Sequence, residues 1–189
     1  PRILLTPERL TELRQLATAN DPTWATFKSE LDSGLSQTSG ASYMGGAWQN
    51  LVQNYALGYL VLKDSNPTLA NQYADKALVY LKALVRDKDT VGDGLGSGTN
   101  SVGRDQWYPT RSVGVGTAVG YDYLYDYSGF TQALKDEVRG QLELWTDGVW
   151  DPSVNLGQWA VNNPGNNYYL GHINMTIRVG YVLYGDSTK

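Results

Sequence analysis

Segments without a single Asp, Glu, Lys or Arg alternate in this chain with helical segments that are rich in charge. The uncharged segments are 44–62, 112–121 and 167–177. A helix without charge is buried on most sides, whereas a charged amphipathic helix faces water. The alternation therefore predicts an inner layer of helices covered by an outer layer. We expect the inner helices near 44–63, 107–127 and 166–185.

Helix start signals recur along the chain. Three pairs join an N-cap residue to a proline at the first helical position, namely Thr6-Pro7, Asp21-Pro22 and Asn66-Pro67. The apolar residues that follow are spaced three or four apart, and no segment shows the period of two that a strand requires. We therefore predict an all-α chain of seven helices, with the fifth at about 106–127 and the sixth at 130–149.

A short motif also repeats. The segments GYLVLKD, GYDYLYD and GYVLYGD begin at Gly58, Gly120 and Gly180, about 60 residues apart. That spacing fits one helical hairpin per repeat. The chain is thus expected to be a single domain, 1–189, of helical-hairpin repeats that form an α-solenoid or part of an (α/α) toroid.

Composition narrows the choice of partners. The net charge is −4 and the chain contains no Cys, so disulfides and thiolate metal sites are excluded. Without a basic patch we expect no nucleic-acid partner, and without a long apolar run we expect no membrane partner. The 14 Tyr and 6 Trp, against 2 Phe, supply aromatic rings with a polar edge, which can stack on sugars or pack interfaces.

Inner helices that run in the same direction would bring their N-terminal ends to one rim. Aromatic, amide and basic side chains stand at these ends: Tyr43, Trp48, Gln49 and Asn50; Arg104, Asp105, Trp107, Tyr108 and Arg111; Asn163, Asn166, Asn167, Tyr168 and the lone His172. Helix N-termini also favour negative charge. Together these features predict a polyhydroxylated anionic ligand, a uronic-acid polysaccharide.

Parts of the chain resemble a known group of enzymes. PRILLTPERLTELRQL, followed by DPTWATF, resembles the opening of heparinase II/III-like and alginate-lyase-like proteins. The segments 107–126 and 166–186 resemble their inner helices. The resemblance implies the N-terminal portion of an (α/α) toroid and β-elimination on acidic polysaccharides. We expect no cofactor and no metal, and a secreted or periplasmic protein.

The resemblance also implies roles for residues. In those lyases an Asn, often with His or Arg, neutralises the uronate carboxylate, and a Tyr or His removes the C5 proton. The expected catalytic residues are Asn167, His172, Tyr168 and Arg111. The expected substrate-binding residues are Trp48, Asn50, Trp107, Tyr108 and Asn166. Because about 140° of helical rotation separates Asn167 from His172, both can serve one site only if Asn167 is the helix cap. Tyr168 and His172, four residues apart, are predicted to share a face.

Other readings of these residues stay open. His172 can be an interior histidine, the asparagines can be turn and cap residues, and the aromatic residues can be core. Arg111 can pair with Asp105 or Asp122. The segment 87–94, DKDTVGDG, hints at a calcium loop, but Gly98 stands where the bidentate Glu belongs.

Two other functional classes also remain. An inverting glycoside hydrolase would need two carboxylates about 6.5–9.5 Å apart, for which Asp105, Asp122 and Asp151 are candidates. The other class is a non-catalytic domain that binds glycans or assembles with copies of itself.

The last inner helix is expected to leave an apolar face uncovered, with Tyr169, Ile173, Ile177, Tyr181 and Tyr184 on it. Monomers avoid such exposed patches. The predicted cover is either the remainder of a longer polypeptide or another copy of the chain.

Overall fold

The computed structural model describes residues 1, 3–42, 45–86, 107–155 and 158–187. Within these ranges the chain forms eight helices and no strand, which confirms the all-α prediction. The helices are α1 (Pro7–Thr18), α2 (Pro22–Gly34), α3 (Gly46–Leu62), α4 (Pro67–Val85), α5 (Thr110–Tyr123), α6 (Gln132–Trp150), α7 (Trp159–Asn162) and α8 (Asn167–Leu183). None of these helices is both long and apolar enough to cross a membrane.

The three predicted N-caps are confirmed. The side-chain oxygen of Thr6 accepts from the Arg9 amide at 3.2 Å at the start of α1. The Asp21 and Asn66 side chains cap α2 and α4 in the same way, at 2.9 and 3.2 Å. These helix starts were predictable because a cap satisfies backbone donors a few residues away and depends on little else.

Helices α3 and α5 pack side by side through glycines of α5. A Cβ at Gly116 would come within 2.7 Å of the Gln49 Cβ, and a Cβ at Gly120 would meet Val52. The contacts advance in the same direction along both helices, so α3 and α5 are parallel. Glycine is needed here because any side chain would force the two helices apart.

Helix α8 packs on the other side of α5, again in parallel. Gly171 of α8 lies against Arg111 near the start of α5, and Met175 lies against Gly114 one turn further on. The row is thus α3, α5, α8, and all three helices begin at the same rim. We call the opposite edge of the row the far rim.

The charged helices α4 and α6 run antiparallel to this row. The rings of Tyr73 and Tyr80 in α4 lie 5.8 and 6.5 Å from those of Tyr55 and Trp48 in α3. Helix α6 covers α5 in the same manner and buries a stripe of Leu134, Val138, Leu142, Trp145 and Val149. The predicted sixth helix is therefore confirmed, with ends at Gln132 and Trp150 instead of 130 and 149.

The bounds of the fifth helix were predicted too wide. Helix α5 begins at Thr110 rather than near 106, because Trp107 has a left-handed backbone with φ of 63° and Pro109 precedes the first turn. It ends at Tyr123, before the turn in which the Tyr127 amide donates to the Leu124 carbonyl at 2.8 Å. The four-residue α7 was not predicted, since so short a helix has no readable period.

The glycines of the sequence repeat occupy different surroundings. A Cβ at Gly58 would meet Leu31 and Tyr73, and one at Gly120 would meet Val52. A Cβ at Gly180 would meet nothing within 4 Å, since this glycine lies on the outer face of α8. The motif therefore repeats in sequence without repeating the same packing.

Candidate functional site

A cation lies among aromatic rings where α5 and α8 begin. The Arg111 guanidinium carbon is 3.6 Å from the ring centroid of Tyr108 and 5.5 Å from that of Tyr168. The centroids of the two tyrosine rings are 4.4 Å apart, and the rings of Trp159 and Tyr168 lie nearly perpendicular with centroids 5.6 Å apart. We call Tyr108, Arg111, Trp159 and Tyr168 the rim cluster. A guanidinium stacked on an aromatic ring is held in place without losing its charge.

Local structure explains why Arg111 lies across to α8. Residue 171 of α8 is a glycine, and a Cβ there would come within 2.7 Å of the Arg111 Cβ and 2.9 Å of its Cδ. The arginine stem therefore runs over bare helix backbone. Its guanidinium donates a hydrogen bond to the Tyr108 hydroxyl, so the cation and a phenol oxygen are in direct contact.

The cap of α8 is Asn166 rather than Asn167. The Asn166 side-chain oxygen accepts from the Tyr169 amide at 3.0 Å, and its Nδ2 donates to the carbonyls of Ala160 and Asn163. These bonds hold α7 against the start of α8. The amide of Asn166 is thus engaged in structure, which favours the cap reading of this residue over substrate binding.

Asn167 and His172 could share a site only if Asn167 were the cap of α8, and it is not. Asn167 is the first residue inside α8 and is exposed, whereas His172 is 0% exposed. About 140° of helical rotation separates the two positions. Asn167 therefore faces solvent beside the rim cluster, while His172 faces the interior between α5 and α8.

His172 fastens the start of α8 to the start of α5. Its Nδ1 lies 3.3 Å from the Thr110 hydroxyl oxygen, and that hydroxyl donates to the Trp107 carbonyl at 2.7 Å. Tyr168 lies one turn before His172 and also faces α5, as the sequence spacing predicted. Because its ring is fully buried, His172 cannot touch a polymer at the surface in this arrangement.

Two predicted sugar platforms are packing residues in the structure. Trp107 is 7% exposed, and a Cβ at Gly148 of α6 would come within 2.6 Å of its ring. Trp48 is half-buried and donates from its indole nitrogen to the Ser39 carbonyl at 2.7 Å. Asn50 is exposed on α3, with α5 between it and α8. Trp107 is therefore enclosed by the fold, whereas Trp48 is held by its hydrogen bond and keeps part of its surface exposed.

Trp159 is the cluster member that sequence reasoning missed. It is 50% exposed and belongs to α7, the four-residue helix that has no sequence period. Its proximity to Tyr168 depends on the turn that Asn166 closes. The only local signal was a tryptophan beside an asparagine-rich turn.

One of the carboxylate pairs that a glycoside hydrolase could use, Asp122 and Asp151, is too widely separated in the structure. Asp122 lies at the far rim, where it accepts from the Ile3 amide at 3.1 Å, whereas Asp151 follows α6 near the start of α5. A rise of 1.5 Å per residue along α5 puts roughly 18 Å between these ends. Asp105, Arg104, Tyr43 and the segment 87–94 lie outside the described residues.

Metal ligation finds no support in the part of the chain that the structure describes. Within it, no group of three or more His, Cys, Asp or Glu side chains could hold a metal ion. The chemistry available at the rim is that of a cation, phenols, amides and helix N-termini.

Comparisons of the chain with protein-family models, with curated proteins and with solved structures find no match.

Proposed function

We propose that the rim cluster binds acidic polysaccharide and that the chain is a polysaccharide-lyase-like part of an (α/α) toroid. The observation that carries the proposal is the Arg111 guanidinium, stacked on Tyr108 and in contact with its hydroxyl. An arginine can bind a carboxylate with two parallel hydrogen bonds. The N-termini of α5 and α8 add partial positive charge to the same place.

β-Elimination needs a base close to a group that neutralises the uronate carboxylate. The proton that is removed lies on C5 of the uronate, the carbon that carries the carboxylate. A group that neutralises the carboxylate must therefore lie within a few ångströms of the group that takes the proton. Arg111 and the Tyr108 hydroxyl meet this requirement, because they are hydrogen-bonded to each other.

In the proposed reaction Arg111 binds the carboxylate and the ionised Tyr108 hydroxyl takes the C5 proton. The electron pair of the C5–H bond forms the C4–C5 double bond, and the bond from C4 to its oxygen breaks. Tyr108 passes the proton that it took from C5 to that oxygen and so returns to its ionised form. Tyr168 and Trp159 provide the stacking surface for neighbouring sugars, and exposed Asn167 provides an amide at its edge. His172 acts through Thr110 as a positioning residue.

The architecture supports the toroid part of the proposal. Three parallel helices form one row, and the antiparallel helices α4 and α6 cover it, which is the two-layer arrangement of helical hairpins. The row brings the N-termini of α3, α5 and α8 to one rim, so a groove along that rim would pass the exposed Asn50 before it reaches the rim cluster.

The test measures binding and turnover on soluble polyuronates such as alginate. Affinity electrophoresis reports binding, and ultraviolet absorbance of the unsaturated product reports elimination. We expect Arg111→Ala to abolish binding and Arg9→Ala to leave it unchanged. Arg9 is the matched control because it is an exposed arginine of α1, paired with Glu12 at 2.6 Å and remote from the rim.

Three results would contradict parts of the proposal. Equal binding by the Arg111 and Arg9 variants would remove the rim cluster as the site. Binding without the ultraviolet product would leave a glycan-binding domain in place of a lyase. New reducing ends without that absorbance would indicate hydrolysis.

A further inference from the structure

Arg111 is the one cation of the rim cluster, and uncharged surface lies on both sides of it. On one side, α3 contains no Asp, Glu, Lys or Arg along its whole length and presents the exposed amide of Asn50. On the other side, α8 begins with the exposed amide of Asn167 and the half-buried ring of Tyr168. Within the described part of the chain, a ligand along this rim therefore meets a single positive charge.

The arginines of the neighbouring helices are engaged with other partners. Arg86, which follows α4, donates to both carboxylate oxygens of Glu137 at 2.7 and 2.8 Å. Arg178 lies in the second half of α8 and donates to the Asn174 side chain at 3.0 Å. Neither arginine could bind a second negative charge beside Arg111 without giving up its present partner.

A carboxylate lies beside the aromatic end of the rim cluster. The side-chain amide of Gln158 donates to the Trp150 carbonyl at 3.0 Å, and these two residues directly precede Trp159 and Asp151. Asp151 is exposed, and the hydroxyl and amide of Ser153 donate to its Oδ1 at 2.7 and 2.8 Å. These bonds lower the pKa of Asp151, so its negative charge persists at neutral pH.

These charges select the sugar that lies next to the bound uronate. Trp159 is 50% exposed and offers its ring to the apolar face of that sugar. A sulfate or a second carboxylate on the sugar would be repelled by Asp151. A hydroxyl or an N-acetyl amide would instead donate a charge-assisted hydrogen bond to this carboxylate. The surface beside Arg111 therefore favours an uncharged sugar.

We infer that the rim cluster recognises a polysaccharide in which each uronate is flanked by uncharged sugars, such as an alternating polymer of uronate and N-acetylhexosamine. The inference rests on the proposed function, because it concerns the ligand of the same site. Polymers with a carboxylate on every sugar, or with sulfate on the neighbouring sugar, bind less tightly. The net charge of −4 acts in the same direction, since it repels the more highly charged polymer more strongly.

The test compares unsulfated chondroitin with chondroitin sulfate of the same chain length by affinity electrophoresis. Both polymers alternate glucuronate with N-acetylgalactosamine, and they differ in the sulfate on the neighbouring sugar. We expect the unsulfated polymer to bind at least about tenfold more tightly, because the sulfate meets a like charge. Alginate, with a carboxylate on every sugar, should also bind less tightly than unsulfated chondroitin. The slope of log affinity against log salt should be about −1, as expected for one neutralised anion.

A pair of charge-removing variants tests the part played by Asp151. Asp151→Asn keeps the oxygen that accepts from Ser153 and removes the charge, so it should narrow the ratio of the two chondroitin affinities. Asp126→Asn is the matched control, because Asp126 is exposed at the far rim and its substitution changes the net charge equally. The control should leave the ratio unchanged.

The adverse results separate this inference from the proposed function. If the unsubstituted chain binds neither chondroitin nor alginate, the proposed function fails and the inference fails with it. Equal or tighter binding of chondroitin sulfate would overturn the inference alone, and loss of that binding in Arg111→Ala would keep the rim cluster as a polysaccharide site. An equal effect of Asp151→Asn and Asp126→Asn would show that Asp151 does not select the neighbouring sugar.

Discussion

At the scale of single residues, the position of Arg111 depends on the absence of a side chain opposite it. The arginine stem crosses Gly171, which has no side chain to block it. The guanidinium can therefore reach Tyr108 and Tyr168. A glycine inside a helix lowers stability relative to alanine unless a close contact requires it. Gly171 has such a contact, whereas Gly140 of α6 has none within 4 Å.

Gly171→Ala should therefore destabilise the fold by about 1–3 kcal/mol, since the new methyl group overpacks the helix contact. Gly140→Ala should stabilise it by about 0.4–1 kcal/mol, because alanine reduces the conformational freedom of the unfolded chain and meets no neighbour in the folded one. Urea denaturation of both variants measures the difference. Polyuronate binding should weaken in the Gly171 variant alone. If both substitutions stabilise the protein, Arg111 does not lie across Gly171.

The buried histidine gives a second prediction at this scale. His172→Ala and Thr110→Val should each lower the free energy of unfolding, and the double variant should lose less than the sum of the two. Groups in contact show coupling of about 0.5–3 kcal/mol in such a cycle. Strict additivity would mean that the contact between Nδ1 and the hydroxyl contributes nothing to the packing of α5 on α8.

At the scale of elements, a single side chain caps the start of α8. Asn166 caps the helix and binds the carbonyls of Ala160 and Asn163, so it sets both the axis of α8 and the place of α7. Tyr168 follows within the first turn, and Trp159 lies on α7. The geometry of the rim cluster thus depends on Asn166, a helix cap with a structural role.

Asn166→Ala should cost about 0.5–2 kcal/mol, the usual loss for a helix cap, and should also weaken polyuronate binding as Tyr168 and Trp159 separate. Asn66→Ala is the matched control, because Asn66 caps α4 at the far rim with one comparable bond of 3.2 Å. It should cost similar stability and leave binding unchanged. Thermal melts and affinity electrophoresis check both effects. Equal binding by the two variants would show that the cap does not organise the rim cluster.

At the scale of the whole molecule, the core is built to an unusual degree from tyrosine. Tyr55, Tyr73 and Tyr121 are among its most deeply buried side chains. Burial raises the pKa of Tyr55, Tyr123 and Tyr127 to about 12. Tyr127 also donates to Asp75 at 2.5 Å, which favours its protonated form further.

Stability should consequently fall at alkaline pH. A tyrosine whose pKa is higher in the folded state than in the unfolded chain stabilises the fold fully below pH 10, the unfolded value. The contribution disappears as the pH rises from 10 towards 12. Urea denaturation between pH 8 and 12 measures the loss, and Tyr127→Phe should make it smaller. A free energy of unfolding that does not change above pH 10 would contradict the buried tyrosine core.

The sequence by itself determined the all-α class and the existence of the seven longer helices. Thr6, Asp21 and Asn66 cap helices in any tertiary context, because a cap acts on donors two or three residues away. The uncharged segments indicated that α3 and α5 would be covered, since charge resists burial wherever it occurs. Helix α8 is uncharged over the same kind of segment, yet Leu170, Ile177 and Tyr181 are more than half exposed. The sequence also placed Tyr168 and His172 on one face of α8, because four residues make about one helical turn.

Only the tertiary structure decided what each rim residue does. Trp107 is buried because Gly148 of α6 leaves room for its ring, and His172 is buried because α5 and α8 close over it. Arg111 and Trp159, distant in sequence, meet at Tyr168. Burial and contact depend on which neighbour lies opposite a side chain. That choice is fixed by the packing of whole helices, which no local pattern of residues contains.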